Sequence, residues 1–103
     1  MDAATAKLMS GVVATLRGAG FDLVCTTWDS GEPGLHVWCE ADAVHIGWRP
    51  APATRSDLPR PVTYHGLRQA FTRAVTMVLS EGGYTFEIHS PAQLIRVVSG
   101  SGG

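Results

Sequence analysis

Asparagine is absent from this 103-residue chain, and lysine occurs once, as Lys7, so arginine supplies nearly all of the positive charge. Alongside abundant alanine, glycine and valine, that bias reflects GC-rich coding of a bacterial type and carries no chemistry. A net charge of either sign is also missing. Eight basic residues against nine acidic ones leave −1, so the electrostatic term that drives phosphate-backbone binding is absent and general nucleic-acid binding is disfavoured. Charged residues make up 17% of the chain, below the roughly 25% of an ordinary soluble domain. Neutral or apolar side chains must therefore cover part of the surface, which points to a partner. Two cysteines, Cys25 and Cys39, are too few for a disulfide scaffold, and their expected state is reduced and packed as small hydrophobes. No long apolar run occurs, and the opening Met1-Asp2-Ala3-Ala4-Thr5-Ala6-Lys7 places an acid before its base. No membrane span or signal peptide is expected, and the expected location is the cytoplasm. Glycine loops with phosphate-binding spacing and a nucleophile elbow are lacking too. The reading leans away from an enzyme, with no cofactor.

What is present is a 45% apolar composition, enough to build one core at this length. We expect a single α+β domain over 1–98. The closing Ser99-Gly100-Ser101-Gly102-Gly103 reads as a flexible tail or appended linker. Leu8, Met9, Val12, Val13 and Leu16 recur at helical spacing over 3–17, with Asp2 available as N-cap and Gly18 or Gly20 as terminator. Strand-forming residues run from Phe21 to Trp28, then the turn cluster Asp29-Ser30-Gly31-Glu32-Pro33-Gly34 follows. Two alternating runs, 35–40 and 43–48, are joined by Ala41-Asp42, the length of a tight hairpin. Residues 49–62 hold four prolines with Arg49, Arg55 and Arg60 and read as a loop. Thr63 can cap a second helix carrying Leu67, Ala70, Phe71, Ala74, Val75, Val78 and Leu79 on one face until Gly82-Gly83. Tyr84, Phe86 and Ile88 then alternate with polar residues in a fourth strand. Ser90-Pro91-Ala92-Gln93 has capping-box spacing, which predicts a short helix over 91–98. The β-branched Ile95, Val97 and Val98 support a competing fifth strand over 94–98.

The resulting order, α-β-β-β-α-β and a short C-terminal helix or strand, predicts an antiparallel sheet, a three-stranded meander plus a fourth strand, packed on one face by two helices. That order is similar to the topology of small secretion-chaperone-like domains. Its first five elements also share their order with double-stranded-RNA-binding domains. Thr63-Tyr64-His65-Gly66-Leu67, however, supplies no base before Arg68, so RNA binding is set aside.

Side chains alternate across strands, so the two faces can be compared. One collects Phe21, Leu23, Cys25, Leu35, Val37, Cys39, Val44, Ile46, Trp48, Tyr84, Phe86 and Ile88 and is the expected core face. The other collects Asp22, Val24, Thr26, Trp28, His36, Trp38, Glu40, His45, Thr85, Glu87 and His89, polar with two tryptophans in its midst. A two-residue turn puts Trp38 opposite His45, with His36 diagonal to it at roughly 7 Å or less between β-carbons. Exposed aromatic patches are uncommon on monomers and mark association surfaces. The expected function is accordingly a small interaction or regulatory module in which Trp28, His36, Trp38 and His45 bind a protein partner or a second copy. The bland alternative is an ordinary wet sheet face. A zinc site or small metal-dependent enzyme centred on His36 and His45 with Glu40 is a further alternative. So is a small-ligand carrier closed by the Arg/Pro loop.

Overall fold

A computed structural model describes residues 3–24, 32–40, 42–49, 65–89 and 93–99. The elements are α1 (Ala3–Gly18), β1 (Leu23–Val24), β2 (Gly34–Glu40), β3 (Ala43–Arg49), α2 (His65–Glu81), β4 (Thr85–His89) and β5 (Leu94–Ser99). The two helix caps expected at Asp2 and Thr63, together with Cys25, Trp28, Arg55, Arg60 and residues 90–92, lie outside the described residues. No helix among the described residues is long and apolar enough to cross a membrane.

Both helices end in the same way, and each ending launches a strand. In α1 the Phe21 N–H donates to the Leu16 carbonyl at 3.1 Å and the Gly20 N–H to that of Arg17 at 3.0 Å. Gly20 sits at φ 98°, which glycine adopts without steric cost. In α2 the Tyr84 N–H donates to Leu79 at 2.9 Å and the Gly83 N–H to Ser80 at 3.1 Å, with Gly83 at φ 83°. This paired bonding satisfies carbonyls that a helix end would otherwise leave open, and turns the chain back toward the sheet.

The sheet order is β1-β2-β3-β5-β4. Its helix-side face carries Leu35 and Val37 from β2, Val44 and Ile46 from β3, and Ile95 and Val97 from β5. These close on Val12 and Leu16 of α1 and Val75 and Leu79 of α2 to form the buried core. Trp48 stacks on Phe71 with ring centroids 5.0 Å apart and planes at 13°, tying β3 to α2 at the geometry aromatic pairs prefer. Thr15 and Tyr84 bring their hydroxyls to 3.5 Å between α1 and the start of β4.

Two expectations are corrected. The sheet is mixed, because β1 runs parallel to β2, with Leu23 beside Leu35 and Val24 beside His36. The remaining pairings are antiparallel. Among the described residues, the first three strands thus do not form the expected antiparallel meander. The element order also closes on a strand, since the segment expected as a helix over 91–98 forms β5. This strand inserts between β3 and β4. The physical reason is local and tertiary at once. Gln93, which a capping box requires in helical geometry, sits at φ 55°. Its successors then find backbone partners on both sides, with Ile95 paired to Ile46 and to Ile88. A central strand gives Ile95, Arg96 and Val97 backbone neighbours on both sides, whereas a two-turn helix would leave most of its own backbone groups unsatisfied. β5 runs through Ser99, which pairs with Thr85.

Candidate functional site

The face of the sheet away from the helices is organised by one row of residues. Trp38 pairs with His45 across β2 and β3, His45 with Arg96 across β3 and β5, and Arg96 with Glu87 across β5 and β4. Directly opposed residues in antiparallel strands bring their β-carbons within about 4.5–5.5 Å, so this register forces the four side chains into a continuous line. Ala41-Asp42 is the two-residue connection that sets it, with Asp42 at φ 60° and Glu40 paired to Ala43.

At the hairpin end, the Trp38 and His45 rings stack with centroids 5.6 Å apart and planes at 19°. The His45 Nε2–H donates to the Glu40 carbonyl at 3.1 Å. The Trp38 indole N–H points at Glu40 Oε2 at 3.5 Å. Both rings are half-buried and held against each other by the stack and by Glu40. A rigid aromatic surface fixed in this way loses little conformational entropy when a partner covers it.

At the other end, Glu87 is approached by two side-chain nitrogens. Arg96 Nη1 lies 3.6 Å from Glu87 Oε2, and His89 Nε2 lies 3.3 Å from the same oxygen. Exposed pairs of this kind contribute at most about 1 kcal/mol to stability. Their consequence is orientation: Arg96 is drawn along the row toward β4.

The sequence-predicted residues separate into three groups. Trp38, His45 and Glu40 are brought together. Trp28 lies outside the described residues. His36 shares the parity of this face but is fully buried, and its Nε2–H donates to the Glu32 carbonyl at 2.7 Å. It offers no surface to a partner here. The Nε2 atoms of His36 and His45 are committed to different backbone carbonyls, while His89 lies two strands from His45. Among the described residues, no group of three His, Cys, Asp or Glu side chains is placed to hold a metal ion. Cys39 is a free thiol on the helix-side face, with Sγ 3.1 Å from Met9 Sδ. Burial pushes its pKa above the ordinary value, the opposite of what a nucleophile needs.

Arg96 is the member of the row that sequence reasoning missed. Reading 91–98 as a helix removed it from the sheet. The signal was the strict alternation of Ile95, Arg96 and Val97, which is a strand period.

No protein-family model, curated protein or solved structure matches this chain.

Proposed function

We propose that the chain is a small protein-interaction module whose sheet binds a protein partner, another protein or a second copy, on the face centred on Trp38 and His45. One observation carries the reading: a tryptophan and a histidine stack on the solvent side of the sheet, fixed by Glu40 and outside the helix-packed core. Tryptophan contributes large contact area at interfaces, and pre-ordering limits the entropy lost on binding. The low charge content agrees with a surface partly given to contact rather than to solvation. Arg96 and Glu87 extend the face with paired charges that can set orientation and partner choice.

The test is Trp38→Ala, followed by sedimentation velocity for self-association and by pull-down from lysate with quantitative mass spectrometry for a foreign partner. The variant should keep its far-ultraviolet dichroism and lose whichever association this face makes, because Trp38 is half-buried and lies outside the core. Capture of every foreign partner and all self-association both unchanged by the substitution would rule out this face.

A further inference from the structure

The order β1-β2-β3-β5-β4 leaves β4 at one edge of the sheet, and Thr85, Glu87, Ile88 and His89 are all exposed. Edge strands present unpaired N–H and C=O groups, and proteins usually blunt them with lysine, proline or a bulge. β4 reads Thr85-Phe86-Glu87-Ile88-His89 and contains neither lysine nor proline. Its register irregularity sits at Thr85/Phe86, which leaves 86–89 regular. Ile88 is 50% exposed on the apolar side of this edge. Beside it, Thr76, Met77, Ser80, Glu81 and Phe86 line a groove of about 300 Å³ between α2 and β4, where Met77 is 60% exposed. Among the described residues, the edge therefore combines open backbone with apolar side chains of Met77, Phe86 and Ile88.

We infer that this edge pairs with the same edge of a second copy, β4 antiparallel to β4 about a two-fold axis at Ile88. Charge selects the occupant and the register. Opposed residues in an antiparallel pair point to the same face, so a one-residue slip would set apolar against polar side chains. The axis must then pass through a residue rather than between two. An axis at Glu87 would set that carboxylate against its own copy, a destabilising arrangement of like charges. An axis at Ile88 sets Ile88 against Ile88 on the groove side. On the open side it sets each Glu87 against the second copy's His89, twice by symmetry. Glu87 already accepts both Arg96 and His89 within one chain, so its carboxylate keeps Arg96 and exchanges one imidazole for the equivalent one. The strand is complementary to itself in this register, the one that uses both Ile88 and the Glu87–His89 pair.

The axis is perpendicular to the sheet, so both Trp38–His45 faces point the same way. The centres of the two sites, each between β2 and β3, lie six strand spacings apart, roughly 29 Å at 4.8 Å per strand. This inference does not depend on the function proposed above, and it leaves that face free for a foreign partner.

Sedimentation velocity of the full chain over a concentration series is the test, with dichroism as the folding control. A dimer is expected for the natural sequence. Ile88→Lys and His89→Glu should each weaken it about tenfold or more, the first by placing two ammonium groups at the axis and the second by opposing carboxylates. His89→Lys, which faces Glu87 with a nitrogen donor and a positive charge, should retain it. Trp38→Ala should leave it intact. The inference is overturned by a monomer up to about 100 μM, a concentration that detects even weak pairing. It is equally overturned by a dimer that survives Ile88→Lys with its affinity unchanged, by indistinguishable effects of His89→Glu and His89→Lys, or by a dimer dissolved by Trp38→Ala.

Discussion

Replacing His36 with alanine should unfold the protein more readily without touching an interaction surface, and the size of the effect can be worked from its surroundings. The side chain is fully buried and donates from Nε2 to the Glu32 carbonyl at 2.7 Å. Loss of one such bond costs about 0.5–1.5 kcal/mol. Glu32 is exposed, so water can reach the abandoned carbonyl and the full penalty of a buried unsatisfied acceptor is not incurred. Removing the ring leaves a void. Large apolar side chains cut to alanine cost about 2–5 kcal/mol, and the smaller, more polar imidazole belongs below that range, at about 1–2 kcal/mol. The sum is roughly 2–3 kcal/mol, equivalent to a fall in Tm of roughly 10–20 °C for a domain of this length. Urea unfolding followed by tryptophan fluorescence reads it as a lower midpoint at unchanged slope. His36→Gln, which keeps an N–H donor of similar reach, should recover part of the loss. An alanine variant within about 0.5 kcal/mol of the natural protein would refute the reasoning, because surface positions behave that way.

Gly34 supplies a second test, since it sits at φ 126° and a β-carbon there would lie 2.6 Å from Val24 Cγ2. Gly34→Ala should therefore cost about 1–3 kcal/mol from backbone strain alone, with the β1–β2 junction opening first in hydrogen exchange; a neutral substitution would mean the parallel pairing is not formed in solution. Cys39 provides the pH dependence. Burial raises its folded-state pKa, so folding favours the neutral thiol. The associated stability is fully present below the ordinary thiol range and is lost as pH rises through the folded value. Alkylation of Cys39 at pH 8, resolved by peptide mass spectrometry, should run slower in the native protein than in urea, and equal rates would show the thiol to be open.

The sequence was most legible where one local period and one local stop signal agreed. Val12 with Leu16 and Val75 with Leu79 were assigned to the core by helical spacing, and the glycine-terminated ends at Gly20 and Gly83 follow from composition alone. The Trp38–His45 pairing was equally legible, because a two-residue connection leaves an antiparallel hairpin one register that keeps Val37 and Val44 on the same side as the core. Two features were beyond that reach. The parallel β1–β2 pairing depends on where residues 25–33 carry the chain. Nothing in Leu23–Val24 itself distinguishes a parallel neighbour from an antiparallel one. His36 alternates with Leu35 and Val37 as an outward residue should, yet it is buried. Strand parity assigns a side of the sheet, and burial depends on what else lies on that side.

β5 shows how one misassigned element can conceal a surface. The segment 90–93 has a helix-start pattern, and 94–98 has a strand pattern; local rules weigh the two almost equally. The balance is settled by the available neighbours. β3 and β4 each present an open edge, and a strand between them pairs Val97 with Val44 on one side and Phe86 on the other. A helix there would leave both edges open and the core without Ile95 and Val97. The same insertion sets Arg96 between His45 and Glu87. Without β5, the Trp38–His45 stack and the Glu87–His89 pair belong to two separate hairpin fragments. With it, they are the two ends of one row, one presenting an aromatic surface and the other lying on an open edge. A single lateral step in strand order thus turns scattered polar residues into a face that one partner can cover and an edge that a second copy can extend.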